Sequence, residues 1–477
     1  MQMLNRDKQY HLWNPFTDLE EFIPYKDMGP MTLVRGEGPY VYNAAGKRFI
    51  NASGSLWNVA VGHGRTELAE VAAEQMKTLC YSSCFQQTHP RAVEFADKLC
   101  GLTNDVYDKV YLGSNGSEAV ETAVKLTRQY FRQSDDPALR GKYKIISFKG
   151  SYHGVTATAM ALSGEEIYEK LYAPLPSGFV HIEPPFAYHG SYGTENQAEC
   201  EERCLQSLRE TIEAEGPETV AAFIAEPVLG DIGILPIRDE FFDKVTKLCK
   251  EYDMLVIADE VTTGFGRTGS LFASENWKIR PDIMCLGKGI SSGYLPVSAV
   301  MAKASVYKNF IGKTYFQHGS TSSGNPVCCA VAMANIDIIL REQLVENSAK
   351  IGKYLMKQLK DMMQDRAIIG DVRGKGLMIG IEFVKNRTTK EPYQMKEVFN
   401  IAADCAAQGL VPYYNNNFMA LFPPLIIDKK IADDILTILS SACKTGKVES
   451  IKKKMRLFGE LAASKKQAAM KDKTCGE

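Results

Sequence analysis

Between residues 109 and 301 the chain repeats short runs of consecutive apolar, β-branched residues, separated by segments of helical periodicity. That alternation leaves few architectures open. The runs are 109–112, Lys144–Phe148, 221–225, 255–258, Ile283–Leu286 and 297–301. A strand with one wet face alternates apolar and polar residues, and several of these do not. They are expected to be covered on both sides, as in a parallel sheet with helices above and below. The intervening segments 118–132 and 239–252 read as those helices, so the expected class is α/β.

After about Asn325 the pattern changes. A long helical stretch, 327–341, leads into short strands at 376–383 and 419–422 and further helices, which reads as a smaller α+β domain. With 477 residues the chain exceeds what one core usually serves. The expected division is a large domain over 59–326 and a small one over 327–460, joined by the amino-terminal segment 1–58, with a tail over 461–477. Residues 33–35 and Tyr40–Asn43 are expected to pair as a hairpin turning through 36–39. The Lys-rich stretch from Ile451 reads as a solvated helix with a frayed end.

A net charge of −1 gives no reason to invoke nucleic acid or an anionic membrane, which leaves a small ligand as the default. No apolar run reaches the roughly 20 residues of a membrane span. Twelve cysteines follow no framework spacing, and the opening residues are polar and aromatic rather than an apolar leader. Free thiols in a reducing cytoplasm are the expectation. Cys80, Cys84 and His89 offer only three ligands at loose spacing, so buried thiols are expected there and no metal.

Four features fall at carboxyl ends of predicted strands, where open α/β sheets bind ligands. In Gly113-Ser-Asn-Gly-Ser-Glu-Ala119, small residues precede a helix whose amides and Ser117 hydroxyl suit a phosphate. Alone it is also an ordinary cap. In Leu255-Val-Ile-Ala-Asp259-Glu260-Val261, an acid ends a buried strand. It requires a cationic or donor partner, and either a protonated pyridine nitrogen or a divalent metal satisfies that requirement. In Asp282-Ile-Met-Cys-Leu-Gly-Lys288-Gly, a lysine stands between glycines that leave room for a planar ring. Partly desolvated, its amine serves as nucleophile and base, whereas an isolated lysine on a turn is usually surface. In Gly150-Ser-Tyr-His-Gly154, Tyr152 can face a flat ligand with His153 beside it, or simply pack. Metal hydrolysis explains only the acids, and a nucleotide fold only the glycines. Pyridoxal phosphate uses all four, with Lys288 and Asp259 as its catalytic pair.

These motifs resemble class III aminotransferases of the fold-type I pyridoxal-phosphate group. The resemblance runs from Trp13-Asn-Pro-Phe to Pro423-Pro424 through Gly116-Ser-Glu-Ala, Tyr152-His-Gly, Ala225-Glu-Pro-Val, Asp259-Glu-Val, Gly264-Phe-Gly-Arg-Thr-Gly269, Leu286-Gly-Lys-Gly and the closing motif 318–326. It implies a large domain with a mainly parallel seven-stranded sheet. It further implies that Lys288 holds the cofactor and moves a proton at the substrate carbon, while Asp259 pairs with the pyridine nitrogen. Tyr152 and Val261 would cover the two ring faces, with His153 nearby, and Gly116 and Ser117 would bind phosphate. Thr321 would complete the phosphate site from a neighbouring subunit, which makes a homodimer, or a tetramer built from two dimers, the expected assembly. Glu226 would link the substrate and cofactor networks, and Tyr25, Trp57 and Tyr413 would line the substrate pocket.

One departure bears on substrate. Many relatives carry a carboxylate-clasping arginine ten residues before the Pro-Pro pair, whereas that count lands on Tyr413 and no arginine stands in 408–429. Another arginine, a slipped alignment or a different mode of holding the acid remain open. The expected reaction is ping-pong transfer from an ω-amino donor to pyruvate. Taurine is slightly favoured over β-alanine, diamines and a diaminopelargonate-type substrate. An aminomutase, a racemase and an inactive cofactor-binding protein are the rivals.

Overall fold

Seven strands form one sheet in a computed structural model that describes residues 13–16 and 32–444. In chain order they are β1 (Lys109–Gly113), β2 (Lys144–Phe148), β3 (Phe179–Ile182), β4 (Val220–Ala225), β5 (Leu255–Asp259), β6 (Ile283–Leu286) and β7 (Ser298–Ala302). Their spatial order is β1-β7-β6-β5-β4-β2-β3. The pairs from β6 to β3 are parallel, and β7 runs antiparallel between β6 and β1.

The reason for the unbroken apolar runs is visible in the packing. Successive residues of one strand enter different cores. Ile146, Phe148, Phe223, Ala225, Val256 and Ala258 join Phe241, Phe242 and Val245 of the helix Asp239–Glu251. Ile145, Ala222, Ile224 and Ile257 join Val120, Ala123 and Val124 of the helix Gly116–Arg132. Strand β3 was absent from the predicted set. Its burial falls to one fully buried residue at the sheet edge, and its Phe-Val-His-Ile sequence lacks the unbroken apolar signature.

Beyond the sheet, Ile369–Lys375, Met378–Asn386, Phe418–Leu421 and Tyr413–Asn415 pair antiparallel. The amino-terminal strands Leu33–Glu37, Tyr40–Asn43 and Arg48–Asn51 form a meander whose last strand takes Leu410–Val411 in parallel, with Ile50 opposite Leu410. The hairpin turn is tighter than the predicted 36–39. Glu37 already pairs with Tyr40, and Gly38 turns at φ +52°. Cys80 and Cys84 are exposed rather than buried, because the segment between the helices Thr66–Thr78 and Pro90–Gly101 forms no strand or helix and lies at the surface. No helix among the described residues is long and apolar enough to cross a membrane. The Lys-rich tail lies outside the described residues.

A backbone-to-backbone clamp joins the sheet to the carboxyl-terminal region. Residues 267–269 follow β5, and Arg267 O accepts from Leu377 N (3.0 Å) and Ser348 Oγ (3.1 Å). A Cβ on Gly376 would lie 2.4 Å from the Thr268 carbonyl carbon, and one on Gly352 would lie 2.1 Å from Gly376 O. Gly352 sits inside the helix Leu344–Asp365, where alanine is intrinsically favoured by roughly 1 kcal/mol. Packing reverses that preference. Gly352→Ala should lower stability by about 2–3 kcal/mol, read as a fall in the urea midpoint; an unchanged or raised midpoint would refute the clamp.

Candidate functional site

Three adjacent strands end in three ionisable side chains. Asp259 is the last residue of β5, Glu226 directly follows β4, and Lys288 lies two residues past β6. The register sets Ala258 beside Ala225 and Asp259 beside Cys285, which brings the acids and the lysine to one edge of the sheet. Lys288 adopts φ +43°, a left-handed conformation that costs a side-chain-bearing residue and is found where function fixes the backbone. Its Nζ donates to Thr262 Oγ1 at 2.5 Å and lies 5.2 Å from the Trp57 ring centroid.

Asp259 is buried and held at both oxygens. Oδ1 accepts from Val261 N (3.1 Å), and Oδ2 lies 2.7 Å from His153 Nδ1. With Nδ1–H donating there, the buried His153 Nε2 has no hydrogen-bond partner. The neighbouring Glu260 removes the metal alternative for this pair. Its carboxylate accepts from Ser274 N (2.6 Å), Ala273 N (3.1 Å) and the Thr263 hydroxyl, so it serves its own loop. No group of three or more His, Cys, Asp or Glu suited to a metal occurs among the described residues.

Glu226 Oε1 accepts from Tyr152 N (3.1 Å) and Oε2 from Gly230 N (3.2 Å). Burial pushes its carboxyl up to about 7, with Asp259 adding to the rise. Burial also lowers the Lys288 ammonium, against the opposing pull of Glu226 and Asp259.

Gly116 and Ser117 occupy the first turn of the helix Gly116–Arg132, which starts two residues earlier than predicted, with Asn115 capping it through Glu118 N (3.0 Å). A Cβ on Gly116 would meet Val261 Cγ1 at 2.8 Å, and one on Gly154 would meet Ser117 Oγ at 2.4 Å. Ser117 Oγ accepts from Val155 N (3.1 Å). The helix start, Val261 and the 152–155 segment therefore converge.

Across the site, Trp57 stacks on Phe422 (4.4 Å, 9°) and meets Tyr413 edge-on (4.9 Å, 76°). The structure thus gathers Lys288, Asp259, Glu226, Tyr152, His153, Val261, Gly116, Ser117, Trp57 and Tyr413. Thr321 stands apart on the surface, where its carbonyl accepts from Tyr81 Oη (2.9 Å). Tyr25 lies outside the described residues.

Three residues of the site had drawn no role from sequence. Thr262 meets the lysine. Arg267, inside the Gly264–Gly269 motif, is buried with Nη1 donating to Leu377 O (3.0 Å) and Pro423 O (2.6 Å), and no carboxylate among the described residues pairs with it. Burial lowers it to about 9, and its charge acts on Lys288. Asp231 faces the site from the loop after Gly230. The available signals were an arginine enclosed by glycines and an acid between Gly230 and Gly233.

These residues fit pyridoxal phosphate. The glycine-lined helix start suits its phosphate, the held Asp259 carboxylate its pyridine N–H, and Lys288 its carbonyl carbon.

Comparison with known proteins agrees. The aminotransferase class-III family model matches residues 24–443. The chain is 34% identical to an adenosylmethionine-8-amino-7-oxononanoate aminotransferase of Methanocaldococcus jannaschii, over 89% of this chain and 94% of that protein. It is 34% identical to a putrescine–pyruvate aminotransferase of Pseudomonas aeruginosa, over 92% and 94%. Among solved structures, an amine transaminase from an uncultivated Pseudomonas species superposes with a TM-score of 0.88 at 32% identity, covering 92% of this chain and 99% of that one. An (S)-enantioselective ω-transaminase from Thermomicrobium roseum gives 0.85 at 37%, covering 91% and 96%.

The raised Glu226 carboxyl has a consequence for stability. Between its ordinary value of 4.5 and about 7, the folded cofactor-free protein holds a proton that the unfolded chain has released. Ionisation therefore costs stability as pH rises through that window. Wild type should lose ~3 kcal/mol relative to Glu226→Gln between pH 4.5 and 7.5 in urea unfolding. Parallel pH profiles for the two proteins would show that Glu226 is already ionised when the chain folds.

Proposed function

The chain belongs to the class-III aminotransferase family, whose cofactor is pyridoxal phosphate, and we propose that it moves an amino group from an ω-amine donor to a keto acid. The observation that carries this reading is Lys288, half-buried at a strand end in the fields of Glu226 and Asp259 and in reach of Thr262.

Bound here, pyridoxal phosphate supplies an electron sink for the bond broken at the substrate carbon. Each protein group then has one task. Asp259, fixed by Val261 N–H and His153, accepts the pyridine N–H and keeps that nitrogen cationic. Gly116 and Ser117 hold the phosphate, while Val261 and Tyr152 cover the ring. Lys288 is the nucleophile and then the base. Its lowered basicity lets it take a proton from the donor carbon and return one to the keto acid carbon near neutral pH. Thr262 orients the amine through its hydroxyl. Glu226 links the Tyr152 backbone to the Trp57 side of the pocket. Trp57 and Tyr413 wall the donor, with Tyr25 as a further candidate.

Arg267 is the cation that faces the keto acid carboxylate. It is buried, lacks an acidic partner among the described residues, and lies within electrostatic reach of Lys288. Pyruvate is the proposed acceptor, supported by the pyruvate-dependent relative. Taurine, β-alanine, diamines and other ω-amines are the donor class. A second copy of the chain would add Thr321 to the phosphate site, making a dimer, or a tetramer built from two dimers, the working unit. The large and small domains expected over 59–326 and 327–460 are the proposed division. The described cysteines are all free, in keeping with a reducing cytoplasm.

The holoenzyme should show a visible cofactor band that an ω-amine bleaches and pyruvate restores, with alanine accumulating. Lys288→Ala should show the spectrum of the free cofactor and no turnover. A donor that rearranges without forming alanine would establish an aminomutase or racemase instead. Arg267→Gln should raise the KM for pyruvate about tenfold or more while the donor half-reaction changes far less. Equal losses in both halves would remove Arg267 from the acceptor site.

A further inference from the structure

Asp231 sits in the five-residue turn of a short hairpin, Val228–Leu229 with Leu235–Pro236, and that turn is held from several sides. A Cβ on the preceding Gly230 would lie 2.5 Å from the Trp57 ring. The following Ile232 lies 3.0 Å from the Cβ position of Gly150, at the start of the segment that carries Tyr152. Gly233 O lies 2.6 Å from the Cβ position of Gly380, on the strand Met378–Asn386. Asp231 is thereby fixed among Trp57, the Tyr152 segment and the strand Tyr413–Asn415. From that strand Asn415 Nδ2 donates to its Oδ1 at 3.3 Å. Tyr413 stands two residues from Asn415 on the same strand face and meets Trp57 edge-on.

Two features of this corner call for a ligand. First, a half-buried carboxylate has one long hydrogen bond from a neutral amide and no salt bridge among the described residues. Such a charge is costly without a cation. Second, Trp57, Tyr152 and Tyr413 stand around it, and an acid with Trp and Tyr rings is the chemistry that receives an alkylammonium group, by ion pairing and cation–π attraction together. Lys288 is the cation whose field reaches Asp231, but Lys288 donates to Thr262 and is committed to the cofactor. Asp259 is likewise spoken for. A donor whose far end is a carboxylate or sulfonate would bring a second negative charge to this acid, whereas a far ammonium would neutralise it.

We propose that Asp231, walled by Trp57, Tyr152 and Tyr413, binds the second ammonium of an α,ω-diamine donor while the first amine reacts beside Lys288. This rests on the transaminase reading above and selects one donor class within it. It sets diamines ahead of taurine and β-alanine.

The test compares the holoenzyme's kcat/KM, with pyruvate as acceptor, for linear diamines of three to six carbons, monoamines of equal length, and taurine. The best diamine should exceed its monoamine about tenfold or more, the scale of one charge-assisted contact. Asp231→Asn should bring that ratio towards one through the diamine KM, and Asp231→Glu should restore part of it. A purely structural role would lower both amines together and leave the ratio unmoved. The wild-type ratio decides the matter even if D231N fails to fold. Monoamines or taurine matching the diamines in wild type, or a ratio unmoved in a folded D231N, overturn the inference while leaving the transaminase intact. Turnover of no donor at all overturns the transaminase reading and this inference with it.

Discussion

A half-buried lysine held among carboxylates at the strand ends is the constraint around which the rest of the molecule is arranged. Left to solvent, Lys288 would be a strong base and almost wholly protonated. Enclosed, it trades hydration for the fields of Glu226, Asp259 and Asp231, and its proton becomes mobile. That balance demands fixed distances, because charges in such surroundings gain or lose several kcal/mol over small displacements. Parallel strands provide the fixity. Three successive strand ends hold one ionisable group each, and helices on both faces exclude water from the sheet beneath them.

The same requirement explains the strain on the opposite wall. Gly54, Ser55, Leu56 and Trp57 all have positive φ, forming one left-handed turn. Each of the three L-residues costs roughly 1–2 kcal/mol in that conformation. The turn is stapled from outside. Asn51 Oδ1 accepts from Ser55 N (3.2 Å) and Ser53 Oγ (3.1 Å), while Phe422 N donates to Ala52 O (2.7 Å). A Cβ on Gly54 would strike Phe422 O at 2.4 Å, so the tightest position falls to glycine. What the strain secures is the placement of Trp57 against Phe422 and over the lysine amine. The amino-terminal and carboxyl-terminal segments thus meet at the site through a structure that neither would adopt alone.

This division also accounts for what could be read in advance. The parallel sheet and its strand-end residues were legible because consecutive apolar residues and glycine-flanked polar ones leave local marks. Edge strand β3 and the hairpin turn left weaker marks, since edge burial is partial and turn register depends on which residues pair. Thr262, Arg267 and Asp231 were obscured for another reason. Nothing in their own neighbourhoods distinguishes a threonine that meets a lysine from one that caps a loop. Arg267 acquires its meaning from Leu377 and Pro423, more than a hundred residues away, and Asp231 from Asn415. Cys80 and Cys84 erred in the opposite direction: cysteine is usually buried, but theirs is a surface segment without regular structure.

Chemistry and selectivity therefore rest on different parts of the fold. The groups that manage the cofactor stand on adjacent strands of one sheet, where moving any of them disturbs two cores at once. The groups proposed to face the donor's far end come from a five-residue turn, a three-residue strand and a strained loop, all outside the seven-stranded sheet. A substitution there alters charge or width without disturbing the strand-end array. Exchanging a cationic side chain for Tyr413 beside an unneutralised Asp231 changes which end group is tolerated, while Asp259, Glu226 and Lys288 keep their spacing.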